Sequence, residues 1–138
     1  MNRIRTALLG LGLFFVVSGV RAQENAVKAN IPFDFVVGNQ VLPAGEYLVT
    51  VQGSANEAIL IRSTDSKSAA MTVTFSCASA NPSKDTKLVF HTVGGRYFLS
   101  QVWTQGYSQG RELRKSSAEV EMAKNHQAAG EFILAARR

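Results

Sequence analysis

The strongest constraint in this chain is a two-residue rhythm. From Val27 onward an apolar side chain falls on every second position: Val27, Ala29, Ile31, Phe33, Phe35 and Val37, with Lys28, Asn30 and Asp34 between them. Successive side chains of an extended segment point to opposite faces, so this alternation predicts a half-buried β-strand over 27–37. Pro32 falls on the outward side, has no N–H for a ladder bond, and marks an edge strand or a bulge. The rhythm returns at Tyr47, Val49 and Val51 and over 69–77, and further short apolar strands stand at 58–62, rich in Ile and Leu, at 87–93, at 96–104 and at 131–136 through Phe132, Ile133 and Leu134. In the 69–77 segment it predicts Met71, Val73, Phe75 and Cys77 inward, with Thr72, Thr74 and Ser76 outward. In 96–104 both faces carry large apolar groups, Tyr97, Leu99, Gln101 and Trp103 on one and Phe98, Ser100, Val102 and Thr104 on the other, which suits a central strand.

Turn residues separate these runs. Gly38-Asn39, Pro43-Ala44-Gly45, Thr64-Asp65-Ser66-Lys67, Asn81-Pro82 and Gly94-Gly95 all stand between apolar segments. Pro presets the backbone angle that turns use, and a glycine pair accepts the positive φ of a tight hairpin. A parallel crossover needs a dozen or more residues, and these connections are mostly shorter. The expectation is an all-β domain, an antiparallel β-sandwich or small barrel of six to seven strands.

One segment breaks the pattern. Ser116 and Ser117 are good helix N-caps, and Ser116 with Glu119 has capping-box spacing. Glu119 and Glu121 come early and Lys124 and His126 late, the order that suits the helix dipole. Gly130 can end the helix. This predicts one short C-terminal helix, with an extended, loosely ordered 111–130 as the alternative because the apolar face is thin.

The N-terminus has a different character. Arg3 and Arg5 precede an uncharged stretch from Thr6 to Val20 rich in Leu, Phe, Val and Gly, followed by Val20-Arg21-Ala22. A basic start, an apolar run and small residues before a cleavage point make up a secretory signal peptide. The expected arrangement is a signal peptide at 1–22, cut after Ala22, and a single β-rich domain at 23–138. That run is shorter than the roughly 20 residues of a span and leaves with the signal, so no transmembrane segment is expected in the mature chain. It goes to the periplasm, the outer surface or the medium. The net charge of +5 over 138 residues becomes +2 over 116, because Arg3, Arg5 and Arg21 leave with the signal. That small balance, on an exported chain, argues against nucleic acid as a partner.

Catalytic side chains are scarce. The only histidines are His91 and His126 and the only cysteine is Cys77, so no Cys-x-x-Cys or His-x-x-x-His pair exists. No metal site is expected, nor any cofactor. A single Cys cannot form an internal disulfide, and its alternation with Phe75 marks it as a small core residue. Gly106-Tyr107-Ser108-Gln109-Gly110 matches a nucleophile elbow in letters only, because that motif needs a parallel strand feeding a helix. Asp34, Glu46, Asp65 and Glu112 supply carboxylates, but nothing singles out two of them. No catalytic residue is assigned. The remaining surface features are aromatic and basic. Tyr97, Trp103 and Tyr107, with Arg111 and Arg114, form the expected binding surface, because exposed aromatic rings stack on sugars or anchor a partner.

Two blocks carry a resemblance. Ala29-Asn-Ile-Pro-Phe-Asp-Phe-Val-Val-Gly38, continued by Leu42-Pro-Ala-Gly-Glu-Tyr47, and Arg96-Tyr-Phe-Leu-Ser-Gln-Val-Trp103 with Gly110-Arg-Glu-Leu113 resemble a family of small exported bacterial proteins common in acidobacteria. The resemblance spans about residues 27–121. It implies export and a β-rich domain. It transfers no site residue, and relatives often place Pro where Arg114 stands here. The expected function is therefore a non-enzymatic exported β-domain that binds an envelope component, a protein partner or a small apolar ligand. The alternatives are a hydrolase of envelope or extracellular polymers, with Ser108 or Cys77 beside His91, and a structural subunit assembling through a strand edge such as that of the Pro32 strand.

Overall fold

The computed structural model describes residues 26–53, 57–125 and 128–138. The signal peptide expected at 1–22 and His126 lie outside them. Ten strands and one helix follow in chain order: β1 (Val27–Ile31), β2 (Phe35–Val37), β3 (Gln40–Leu42), β4 (Gly45–Gln52), β5 (Ala58–Ser63), β6 (Ala69–Ala78), β7 (Lys87–Val93), β8 (Arg96–Trp103), β9 (Gln109–Leu113), α1 (Ser117–Lys124) and β10 (Ala129–Ala135). The fold is all-β with one short helix, as the alternation predicts. No helix among the described residues is long and apolar enough to cross a membrane.

Eight strands pair in a ring. The order is β1-β4-β5-β6-β9-β8-β7-β10, every pair antiparallel. The ring closes where Lys28 N–H donates to Arg137 O at 2.7 Å and Arg137 N–H donates to Lys28 O at 3.0 Å. Eight strands enclose an interior just wide enough for side chains or one small ligand. The β1 strand, expected to offer a free edge, is therefore bonded to β4 on one side and to Arg137 on the other.

The first predicted strand is broken. Pro32 has no N–H to continue the ladder, and the Asp34 carboxylate accepts the Ala44 N–H at 3.0 Å, pinning the bend. β2 then leaves β1 and pairs in parallel with β8, Phe35 opposite Tyr97 and Val36 opposite Phe98. This is the one parallel pair among the described residues, against an expectation of none. It needs no short crossover because some sixty residues of other strands lie between its members. β3, between the Gly38-Asn39 and Pro43-Ala44-Gly45 turns, pairs back onto β2. The inward set survives the break: Val27, Ala29, Ile31, Phe35 and Val37 all belong to the main core.

β6 reverses the predicted face. Met71 is 63% exposed, Val73 62% and Phe75 49%, whereas Ala70 and Thr74 are buried. Register explains it. Ile59 and Ile61 of β5 stand fully inside, opposite Thr72 and Ala70. A narrow barrel has room for small side chains beside those two isoleucines and not for Met and Phe. Cys77 accordingly lies part-buried on the outer row and not in the core.

β8 carries a bulge. Val89 pairs with Gln101 and the next residue, Phe90, pairs with Leu99, so Ser100 is the extra residue. A bulge swaps the faces beyond it. Tyr97 and Leu99 join the interior before it, and Val102 joins the interior after it. Trp103 is thereby moved off the face it was predicted to share with Leu99. The β7–β8 hairpin itself matches expectation, with Gly94 at φ 57° and Gly95 at φ 79°.

The helix is shorter than its signals allowed and packs outside the ring. Ser116 caps it, its Oγ accepting the Glu119 N–H at 3.1 Å. Ala118 and Met122, one turn apart, rest on Val36, Val93 and Phe98. The helix ends at Lys124, and Gly130 lies inside β10 instead of capping it. The last two residues of Gly106–Gly110 form the start of β9.

Candidate functional site

The two ends of the barrel differ. At the end where β8 begins, aromatic rings fill the interior. Phe33 stacks on Tyr97 with centroids 3.7 Å apart, and Phe90 and Phe132 stand edge-on to Phe33 at 5.1 and 5.4 Å. Tyr47 extends the cluster against Phe35 and donates its hydroxyl to Pro43 O at 2.6 Å. Burial pushes the Tyr47 phenol above its ordinary value, with Asp65 and Asp34 adding to the shift and Ser68 opposing it. Tyr97 is thus partly buried and packs against the core at the plugged end.

The other end is open. Val27 of β1, Val49 and Val51 of β4 and Val102 of β8 give a cavity of about 350 Å³ an aliphatic wall, and Ser76, Thr104, Tyr107 and Gln109 add polar atoms. Arg111 is the charged residue of the lining. Alternation along β9 explains its placement: Leu113 belongs to the core, so Arg111, two residues earlier, shares the inward row. Its Nε donates to Thr74 Oγ1 at 2.9 Å and its Nη2 to Thr74 O at 3.0 Å. Thr74 Oγ1 in turn donates to Glu57 O at 3.3 Å. Arg111 has no ion-pair partner among the described residues. Tyr107 stands at the rim, half exposed, with the Arg138 guanidinium 5.5 Å from its ring centroid.

The expected binding surface therefore divides. Tyr107 and Arg111 meet at the open mouth. Trp103 lies outside the ring, its ring over Gly110 and its Nε1 donating to Gln101 Oε1 at 2.9 Å. Arg114 is exposed, its guanidinium 5.5 Å from the Phe75 ring centroid on the outer face. The basic residues that cluster in sequence do not form one patch.

Sequence reasoning missed a second constellation, Ser100–His91–Glu119. The Ser100 hydroxyl lies 3.1 Å from His91 Nε2, and His91 Nδ1 lies 2.7 Å from Glu119 Oε1. A carboxylate accepts, so the Nδ1 proton lies toward Glu119. The order is that of a nucleophile, a base and an orienting acid. Burial decides against that role. Ser100 is 4% exposed and Glu119 6%, and a nucleophile has to be reached by a carbonyl carbon. The three residues come from the β8 bulge, the outer row of β7 and the first turn of α1, so what they do is fasten the helix to the barrel. Only the Glu119 spacing from Ser116 was visible in sequence. Its backbone N–H completes the cap, but its carboxylate turns to His91 and does not close a capping box.

The other sequence candidates stay apart. His91 is partnered by Ser100 and Glu119, not by Ser108 or Cys77. Burial, and then Glu112, push the Cys77 thiol above its ordinary value, with the Gly110 N–H and Arg111 partly offsetting them. Asp34 holds Ala44, Glu46 pairs with Lys28 at 3.2 Å, and Asp65 accepts from Ser63 Oγ at 2.6 Å and the Lys67 N–H at 3.0 Å. Among the described residues no group of three or more His, Cys, Asp or Glu side chains could hold a metal. Comparison with protein-family models, curated proteins and solved structures finds no match.

Proposed function

We propose that this chain is an exported, non-enzymatic binding protein and that the open barrel end takes a small, largely apolar ligand. One observation carries the reading: a hydrogen-bonded ring of eight strands is plugged by Phe33, Tyr97 and Phe132 at one end and holds a valine-walled cavity of about 350 Å³ at the other. That volume lies at the lower end of the range of small-molecule sites, roughly 300–1,000 Å³. The arginines and the leucine-rich run at the N-terminus support export, and the resemblance to small exported acidobacterial proteins agrees with it.

The test uses the full chain as an exporting bacterial host processes it, with its mass checked for a first residue of Gln23. N-phenyl-1-naphthylamine, an uncharged dye that brightens in apolar surroundings, is titrated into it. Saturable brightening is expected, reduced about tenfold in affinity by Val51→Phe, which fills the wall by roughly the bulk of a small ligand group. Serine at Met71, Val73 and Phe75 together should leave binding unchanged. Dye binding that survives Val51→Phe and disappears with the outer-face serines refutes the mouth as the site.

A further inference from the structure

Arg111 is the one charged side chain at the open mouth, where four valines stand beside Ser76, Thr104, Tyr107 and Gln109. It is half-buried, it lines a cavity walled by Val27, Val49, Val51 and Val102, and no carboxylate pairs with it among the described residues. A half-buried cation keeps part of its hydration and meets the rest through hydrogen bonds or an anionic partner. Thr74 supplies two acceptors, its Oγ1 and its carbonyl. A guanidinium has five N–H donors, so three are left over.

The two Thr74 bonds also fix the plane of the group. Thr74 is buried, and its own N–H and hydroxyl are bonded to Glu57 O at 2.6 and 3.3 Å. The guanidinium is thus held from behind by a side chain that is itself held. A pre-set fork of N–H donors matches the two oxygens of a carboxylate and favours it over a single-point acceptor. Arg138 at the rim, over Tyr107, adds a second positive charge on the way in.

We infer that the ligand of the barrel mouth is an amphipathic carboxylate: its carboxyl group pairs with Arg111 and its hydrocarbon part lies against the valines. This rests on the mouth being a ligand site, and the two ideas fail differently. Octanoate, octanol and octylamine share a tail and differ in the headgroup. Each is titrated against the naphthylamine dye bound to the host-processed protein. Octanoate should displace the dye at about tenfold lower concentration than octanol, the size of one hydrogen bond to a charged group, and octylamine should be the weakest. In Arg111→Gln the octanoate advantage should vanish while octanol is unaffected, and Arg111→Lys, which keeps the charge without the fork, should restore part of it. The wild-type comparison needs no variant to fold. Equal displacement by octanoate and octanol overturns the headgroup assignment and leaves the apolar site standing. No saturable dye binding overturns both.

Discussion

Gly110 offers the sharpest check on the way β9 and β8 pack. A methyl group there would meet Trp103 Cδ2 at 2.8 Å, Trp103 Cε3 at 2.9 Å and Val102 O at 2.9 Å. Ordinary carbon contacts begin near 3.5 Å, so all three atoms would have to retreat by about half an ångström or more. The indole can tilt. The Val102 carbonyl cannot, because it belongs to the ladder that holds β8. Forcing an extra methyl into a packed site costs about 1–3 kcal/mol. With one yielding and one unyielding neighbour, Gly110→Ala should cost about 2 kcal/mol. For a domain of this size that lowers the melting temperature by roughly 8 °C. The chain has one tryptophan, so its emission reports the contact directly and should shift to the red as the indole is pushed outward. A double-mutant cycle with Trp103→Leu separates the two clashes. The double variant should be less destabilised than the sum of the singles by about 1 kcal/mol, with a residual from the Val102 carbonyl. If Gly110→Ala changes neither the denaturation midpoint nor the emission, Trp103 does not pack over Gly110 and the close approach of β8 and β9 is refuted.

Two further outcomes test the outward faces of β6. Replacing Met71, Val73 or Phe75 singly by Thr should change stability by no more than about 0.5 kcal/mol in urea denaturation, the range for surface sites; a loss of about 2–5 kcal/mol would mean these side chains are core after all. The Cys77 thiol, raised first by burial and then by Glu112, should be alkylated by iodoacetamide more slowly than a free thiol in the folded protein at pH 8. A raised folded value adds stability that is present below the thiol's unfolded value and lost as pH climbs through the folded one. Cys77→Ser should therefore flatten the fall of stability on the alkaline side; an unchanged alkaline slope in urea titrations would argue against a burial effect.

How much of this was legible in the residues depends on which neighbours decide a feature. Alternation along one segment is local, so the inward set of β1 and β2, the Gly94-Gly95 hairpin and the Ser116 cap could all be read directly. The break at Pro32 was half legible: proline forbids the ladder bond, but the direction of the chain beyond it is set by Asp34 reaching Ala44. The faces of β6 were not legible. Both its rows can pack, and the choice lies with Ile59 and Ile61 on another strand. Trp103 failed for a related reason. One extra residue, Ser100, turns the strand over, and neither Ser100 nor its partner pair Val89 and Phe90 carries a composition signal for a bulge.

The same distinction explains why the sequence could propose a binding surface but not place it. Tyr97, Trp103, Tyr107, Arg111 and Arg114 lie within eighteen positions, and proximity in sequence made them look like one surface. A bulge and a hairpin return send them to the plugged end, the outer wall, the rim, the mouth and the outer face. What singles out Arg111 is not its residue type. It is one strand step from Gly110, whose missing side chain admits Trp103 on the outside, and two steps from Leu113, whose burial fixes the inward row. Were the register of β9 shifted by one residue, Arg111 would lie in solvent and Glu112 would face the valines. The placement of a charge inside this barrel thus depends on the Gly110–Trp103 contact, which couples the stability prediction to the ligand one: a variant that loosens that contact should lose the preference for octanoate before it loses the fold.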